Sequence, residues 1–206
     1  MAVNVRNNTI IPNWKVLLML MLCGQPINGN ADAIGMEIIT LTSHISDSTI
    51  QLGEDYHRKL SDDGRHLITP GVELYYDNQI PYRSTYAYID SLRAVAAGYY
   101  DSMNHFSGYI AYMPRWIIFK FKKTSLNFGI GPTLIFRESW KTIPQYRDDG
   151  YYQESENFLP GYQYKFILGG DINIHYEINN RLEAVWSIIP GLPYVITHAF
   201  GVRWKL

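Results

Sequence analysis

The sequence predicts an all-β fold: an eight-stranded antiparallel up-and-down barrel that crosses a membrane. Three observations point there. Apolar residues alternate with polar or small ones at period two in eight successive segments. The connections between these segments alternate between short turns and longer polar loops, as in a barrel with a tight rim and a looped rim. The 206 residues include seventeen Tyr and five Trp. That is more than a small soluble core needs, and both types favour the membrane–water interface.

Residues 1–33 read as a secretory signal. Arg6 and Lys15 form its basic part, and Val16 to Leu22, "VLLMLML", is an apolar run too short to span a bilayer. Ala31-Asp32-Ala33 supplies the small residues of a cleavage site. The mature chain is therefore expected to begin near Ile34, with residues 34–206 forming one barrel domain. Cys23, the lone cysteine, falls inside the signal. Bulky Leu22 before it argues against lipoprotein processing. The mature chain then has no thiol chemistry and no disulfide. A net charge of −1 gives no sign of a nucleic-acid partner, and a monomer is expected. His57, His66, His175 and His198 are scattered without metal-ligand spacing, so neither a metal nor a cofactor is expected.

The strands are expected near 36–46, 67–77, 85–100, 108–122, 125–137, 164–178, 182–190 and 194–206. The last shows the pattern best. In "YVITHAFGVRWKL", Tyr194, Ile196, His198, Phe200, Val202, Trp204 and Leu206 share one face, while Thr197, Gly201, Arg203 and Lys205 take the other. "DNQIPYR" (77–83), "KKTS" (122–125) and "INNR" (178–181) are the short connections. The stretches 47–66 and 138–163 are long. Strands of about ten tilted residues suffice to cross hydrocarbon, and closure satisfies every backbone amide. A soluble lipocalin-type barrel would share the signal and the strand count.

Candidate chemistry gathers in "YYDSMNHFSGY" at 99–109. Strand counting puts its loop on the outer rim, opposite the short turns. His44 ends the first strand on that same rim. A Ser with a His base and an orienting acid is the pattern of acyl transfer, and His44, Asp101 and Ser102 supply the three types. Taken alone, an Asp-Ser pair in a surface loop is more often turn chemistry.

Several ordered pieces resemble the lipid A palmitoyltransferases of Gram-negative outer membranes, the PagP-like enzymes. They are "IITLTSH" at 38–44, "DSMN" at 101–104, "FGIGPT" at 128–133, "RESWKTIP" at 137–144, and "IIPG" at 188–191 followed by a terminal Arg-aromatic-x-hydrophobic. The resemblance implies an integral outer-membrane enzyme that moves a palmitoyl-type chain from a phospholipid donor to lipid A. It gives His44 and Ser102 the acyl-transfer chemistry and Asp101 an orienting role, with Asn104 beside them at the mouth. The acyl chain would lie in an apolar, unplugged outer half of the lumen. Pro190 would weaken strand pairing, since it cannot donate to a ladder, and so admit lipid sideways. Met113 falls where the floor of the acyl pocket belongs; pointing inward, it implies a chain shorter than palmitate. Arg137 is a candidate partner for lipid A phosphate.

The chain departs from the family in places. The amphipathic helix that precedes the first strand there has no counterpart, and Gly169-Gly170 stands where a second Pro is expected. Asp90-Ser91 is a rival pair without the following Asn. "HFS" at 105–107 is similar to the His-x-Ser of lipid A deacylases, yet residues 108–137 contain no Asp or Glu. Besides the acyltransferase, a lipid A deacylase and a non-enzymatic barrel with a polar-filled lumen remain as alternatives.

Overall fold

In the computed structural model, which describes residues 32–44, 65–80, 89–143, 152–154, 160–191 and 195–206, nearly every residue is in a strand. The strands are β1 (Ala33–His44), β2 (His66–Gln79), β3 (Ile89–Tyr100), β4 (Phe106–Phe121), β5 (Thr124–Glu138), β6 (Gln153–Glu154), β7 (Tyr162–Glu177), β8 (Leu182–Gly191) and β9 (Val195–Lys205). Neighbours pair antiparallel in the order β5-β4-β3-β2-β1-β9-β8-β7, and a β5–β7 ladder closes the ring. The two-residue β6 is a strap on β7, outside the eight-stranded wall.

The ladders show how the ring is sheared. From Glu37, pairing through β2, β3 and β4 reaches Ile135 on β5. Pairing the other way, through β9, β8 and β7, reaches Ser125. A stagger of ten residues between Ser125 and Ile135 over eight strands tilts the wall by about 40°. That tilt explains strands longer than a straight crossing needs.

Period two then sorts the side chains. Ile34, Met36, Ile38, Val72, Leu74, Phe166, Leu168, Phe200, Val202 and Trp204 are exposed on the outside of the wall. Glu37, Glu73, Asp77, Arg93, Arg115, Asp171, Asn173, Glu183 and Arg203 are buried inside it. Apolar outside and polar inside is the inverse of a soluble barrel, and it is what lipid requires. The soluble lipocalin alternative is thereby set aside. In the last strand the aromatic face predicted from sequence is the lipid face, and Ala199 and Arg203 face the lumen.

The periplasmic half of the lumen is a connected ion-pair network. The Asp77 carboxylate accepts from Arg93 Nε at 2.7 Å and Nη2 at 3.0 Å, and from Arg203 Nε at 2.8 Å. Arg203 reaches on to Glu183 at 2.9 Å, and Glu183 holds His175 at 3.1 Å and Lys205 at 2.6 Å. Asp171 accepts twice from Arg115, at 3.0 and 2.8 Å, and once from Arg93 at 3.4 Å. Arg115 also meets Asn173, whose amide donates to Ser187 at 2.6 Å. The Arg93 guanidinium lies 3.5 Å over the Tyr75 ring. Gly35 makes room for that ring, because a Cβ there would fall 2.0 Å from it. Outward of this network Glu37 and Glu73 are also buried in the lumen, the Tyr109 hydroxyl donates to Glu73, and two small apolar clusters pack around them. Tyr75, Val95, Ala111 and Met113 form one buried cluster, and Ile39, Ala97 and Ala199 another.

The expected strand limits hold within a few residues, with three differences. β1 begins at Ala33, three residues before the expected start, because Ala33 already pairs with both Asp77 and Lys205. The expected start of the third strand at 85 lies outside the described residues. The long loop 138–163 is not featureless: it carries a 3-10 helix at Trp140–Thr142 and the β6 strap.

Candidate functional site at the outer rim

Asp101 organises the β3–β4 turn. Its Oδ1 accepts from the backbone N–H groups of Met103 and His105, both at 2.9 Å. Its Oδ2 accepts from the Ser107 hydroxyl at 2.8 Å and the Trp140 indole at 3.0 Å. Backbone bonds from Asp101 N–H to the His105 carbonyl (3.0 Å) and from Asn104 N–H to the Asp101 carbonyl (3.1 Å) close the loop. Asn104 is exposed and takes a φ of 61°, a left-handed geometry that Asn tolerates. Its place in the turn therefore has a backbone reason. Ser102 lies half-buried at the second position of the turn. The hydroxyl that Asp101 engages belongs to Ser107.

His44 is the last residue of β1 and pairs with Val195; its side chain lies outside the described residues. Extending the β2–β3 register outward sets Asp101 level with Thr69. His44 is then three to four residues farther out and two strands away, or ~15 Å between Cα atoms by ordinary strand spacings. The described serine–imidazole contact on this rim is a different one, Ser43 Oγ to His66 Nδ1 at 3.0 Å. Below it a hydroxyl chain links Thr69, Thr42 and Thr197, with steps of 2.7 and 3.2 Å. Ser91 of the rival pair faces the lumen opposite Arg115, near the periplasmic mouth.

Arg137 is buried at the outer end of β5. Its Nε donates to Gln163 Oε1 at 3.0 Å, and its guanidinium sits 3.9 Å from the Trp140 ring centre and 3.8 Å from that of Tyr152. The strap holds these rings in place. Glu154 accepts from Gln163 Nε2 at 2.8 Å and Ser139 Oγ at 3.3 Å, and pairs with Lys141 Nζ at 3.2 Å. Partial burial works to raise the Glu154 carboxyl, but the Gln163 amide and the Lys141 ammonium outweigh it and hold it below its ordinary range. Stacked aromatic rings over a guanidinium make a lid-like cover on this side of the rim.

Met113 faces the lumen and is buried against Tyr75, Val95 and Ala111, level with its ladder partner Arg93. Pro190 is exposed on β8 and pairs only toward β9, opposite Ile196. On the other side of β8 the ladder to β7 runs from Glu177–Glu183 to Ile172–Ile188 and stops there. Both strands continue outward beyond that point. A cleft of about 230 Å³ opens in the wall, lined by Phe128, Ile130, Ile167, Leu168, Gly169, Gly170, Asp171, Ile172, Pro190 and Gly191.

Sequence reasoning did not find Arg93, Arg115, Asp171 and Arg203 as a group. Their signal was present, because an ionisable residue inside a membrane strand must face the lumen and find a partner. Among the described residues no cluster of His, Cys, Asp and Glu has the make-up of a metal site.

No protein-family model matches the chain, and no curated protein sequence matches it. Solved structures do. Neisserial surface protein A aligns over 86% of this chain and 98% of its own, with a TM-score of 0.50 at 8% identity. Ail, the attachment invasion locus protein of Yersinia pestis, solved with the heparin analogue sucrose octasulfate, aligns over 86% of this chain and 100% of its own, with a TM-score of 0.44 at 11% identity. Ail in a phospholipid bilayer nanodisc covers the same shares at 0.41 and 11%. The first likeness shows the fold, that of a small outer-membrane β-barrel. With its apolar outside and polar inside, the chain is an integral protein of the Gram-negative outer membrane. The narrower acyltransferase resemblance rests on the sequence motifs.

Proposed function

We propose that this chain is a non-enzymatic outer-membrane barrel that presents its Tyr-rich outer loop to the surroundings and leaves lipid unchanged. One observation carries the reading: the acid that would orient a catalytic His is committed elsewhere. Both Asp101 oxygens are taken up by two turn amides, Ser107 and Trp140. A carboxylate with four donors is a turn anchor. The filled lumen supports the same view, since three arginines and their acids occupy its periplasmic half.

A second reading, the lipid A acyltransferase, has its own observation in favour. The β7–β8 ladder stops at Ile172–Ile188, beside Pro190, and the cleft there is lined both by lipid-facing Leu168 and by lumen-facing Asp171. A phospholipid chain entering there would meet Met113 and the small apolar clusters, with Glu37 and Glu73 buried beside them. Ser102 and His44 would carry the transfer, with Asp101 positioning, and phospholipid and lipid A would be donor and acceptor.

Mass spectrometry of lipid A from cells expressing the chain separates the two. The first reading expects unchanged lipid A with the barrel folded in the outer membrane. A single added acyl mass, lost in both Ser102→Ala and His44→Ala, would replace it with the second. Loss of an acyl mass would point to a deacylase instead.

A further inference from the structure

The export signal leaves two cleavage positions open, and the contacts of the barrel distinguish their products. Small residues three before and one before a bond mark it for signal peptidase. Ala31 and Ala33 satisfy this for the bond after Ala33; Gly29 and Ala31 satisfy it equally for the bond after Ala31. Sequence cannot rank them. The structure uses the two residues between the sites.

Ala33 is fully buried and is the first rung of both ladders that close the ring, opposite Asp77 on β2 and Lys205 on β9. Asp32 extends the seam by one step. Its carbonyl accepts the Leu206 N–H at 2.7 Å, and its carboxylate accepts the Tyr76 hydroxyl. Cleavage after Ala33 would remove these contacts and the two Ala33 rungs together. It would also place a new ammonium on Ile34, inside the ladder beside Tyr76 and Trp204, with a side chain that faces lipid. A charge there costs free energy. Cleavage after Ala31 keeps every one of these contacts and leaves the ammonium beyond the ladder.

We infer that the leader is removed at the Ala31–Asp32 bond, so that Asp32 is the first residue of the mature barrel and closes its periplasmic seam. The step is a hydrolysis. Water adds to the Ala31 carbonyl, the peptide C–N bond breaks, Ala31 leaves as a carboxylate with the leader, and Asp32 keeps the nitrogen as its α-ammonium. The inference rests on the export reading of residues 1–33 and is independent of what the barrel does.

N-terminal sequencing and intact mass of the full chain, purified from outer membranes, test it. A chain starting at Asp32 is expected. A start at Ile34, at Cys23 with lipid attached, at any other residue, or an uncleaved chain would overturn it. Gly29→Tyr gives an independent check, because residue 29 lies three before the Ala31 bond but five before the Ala33 bond. Cleavage at the Ala31 bond should fail in that variant, leaving precursor or a chain that starts at Ile34, and a variant chain that still starts at Asp32 at the wild-type rate would refute the assignment.

Discussion

Asp101 and Ser102 are adjacent in sequence, yet they differ in what the fold asks of them. The Asp101 carboxylate answers four donors, two of them main-chain amides. Hydrogen bonds to an ionised group are the strong kind, and a donor left buried without a partner adds its own penalty. Asp101→Ala should therefore destabilise the folded barrel by about 3 kcal/mol. Ser102→Ala should stay within about 0.5 kcal/mol of wild type, as for a turn position whose side chain anchors nothing. Urea unfolding of the barrel refolded into lipid vesicles measures both. A Ser102→Ala loss as large as that of Asp101→Ala would show that Ser102 is part of the turn's framework. The same comparison protects the lipid A assay, because an inactive Asp101 variant would report folding as readily as chemistry.

Besides the Trp140 contacts to Asp101 and Arg137 and the β6–β7 ladder, the strap formed by Trp140–Thr142 and β6 is tied by one carboxylate, Glu154, to Gln163, Ser139 and Lys141. Its folded pKa is depressed, so protonation favours the undocked strap. Docking is fully supported above the ordinary carboxylate pKa of about 4.3. It weakens as pH falls through the lower folded value. Trp140 stacks on Arg137 beside this contact, so its fluorescence should shift on acidification below that range while the barrel stays closed. Glu154→Gln should show the acid-form signal already at neutral pH. A Trp140 signal flat across the acid range would exclude Glu154 as the latch. This strap also marks where sequence reasoning stops. The wall was readable because each strand repeats one local rule, apolar out and polar in, as Phe200, Val202 and Trp204 do against Arg203. Glu154 and Trp140 obey no period. They meet only because β5 and β7 are paired, bringing Arg137 opposite Gln163. The same holds for Asp101: its sequence neighbours suggested Ser102 as partner, and the fold supplied Ser107 and Trp140.

Closure turns separate strand faces into a single interior, and there the charges of six strands meet, Glu183 of β8 among them through Arg203. Asp77 of β2 holds Arg93 of β3 and Arg203 of β9, while Asp171 of β7 holds Arg115 of β4 and Arg93 again. No pair is adjacent in sequence, so the network could not be drawn before the ring order was known. Its members are mutually dependent. Removing one partner of a buried pair leaves an uncompensated charge and costs about 3–5 kcal/mol, and Asp77→Ala would take a shared partner from two arginines at once, leaving Arg93 with Asp171 and Arg203 with Glu183. The network also decides whether the barrel is a pore. Tyr75, Arg93 and Arg115 occupy the lumen where an ion would have to pass, Met113, Val95 and Ala111 pack beside them, and Glu37 and Glu73 are buried farther out. The wild-type barrel in a planar bilayer should therefore show no steady ionic conductance. Tyr75→Ala combined with Arg93→Ala removes the ring and the guanidinium stacked on it, while Asp77 keeps Arg203 and Asp171 keeps Arg115. That variant, confirmed as folded by its heat-dependent mobility on gels, should conduct. Steady open-pore current from the wild type would mean the network lines a channel instead of plugging it, and a folded but silent double variant would place the block in the lumen residues farther out, Glu37, Glu73 and Tyr109 among them.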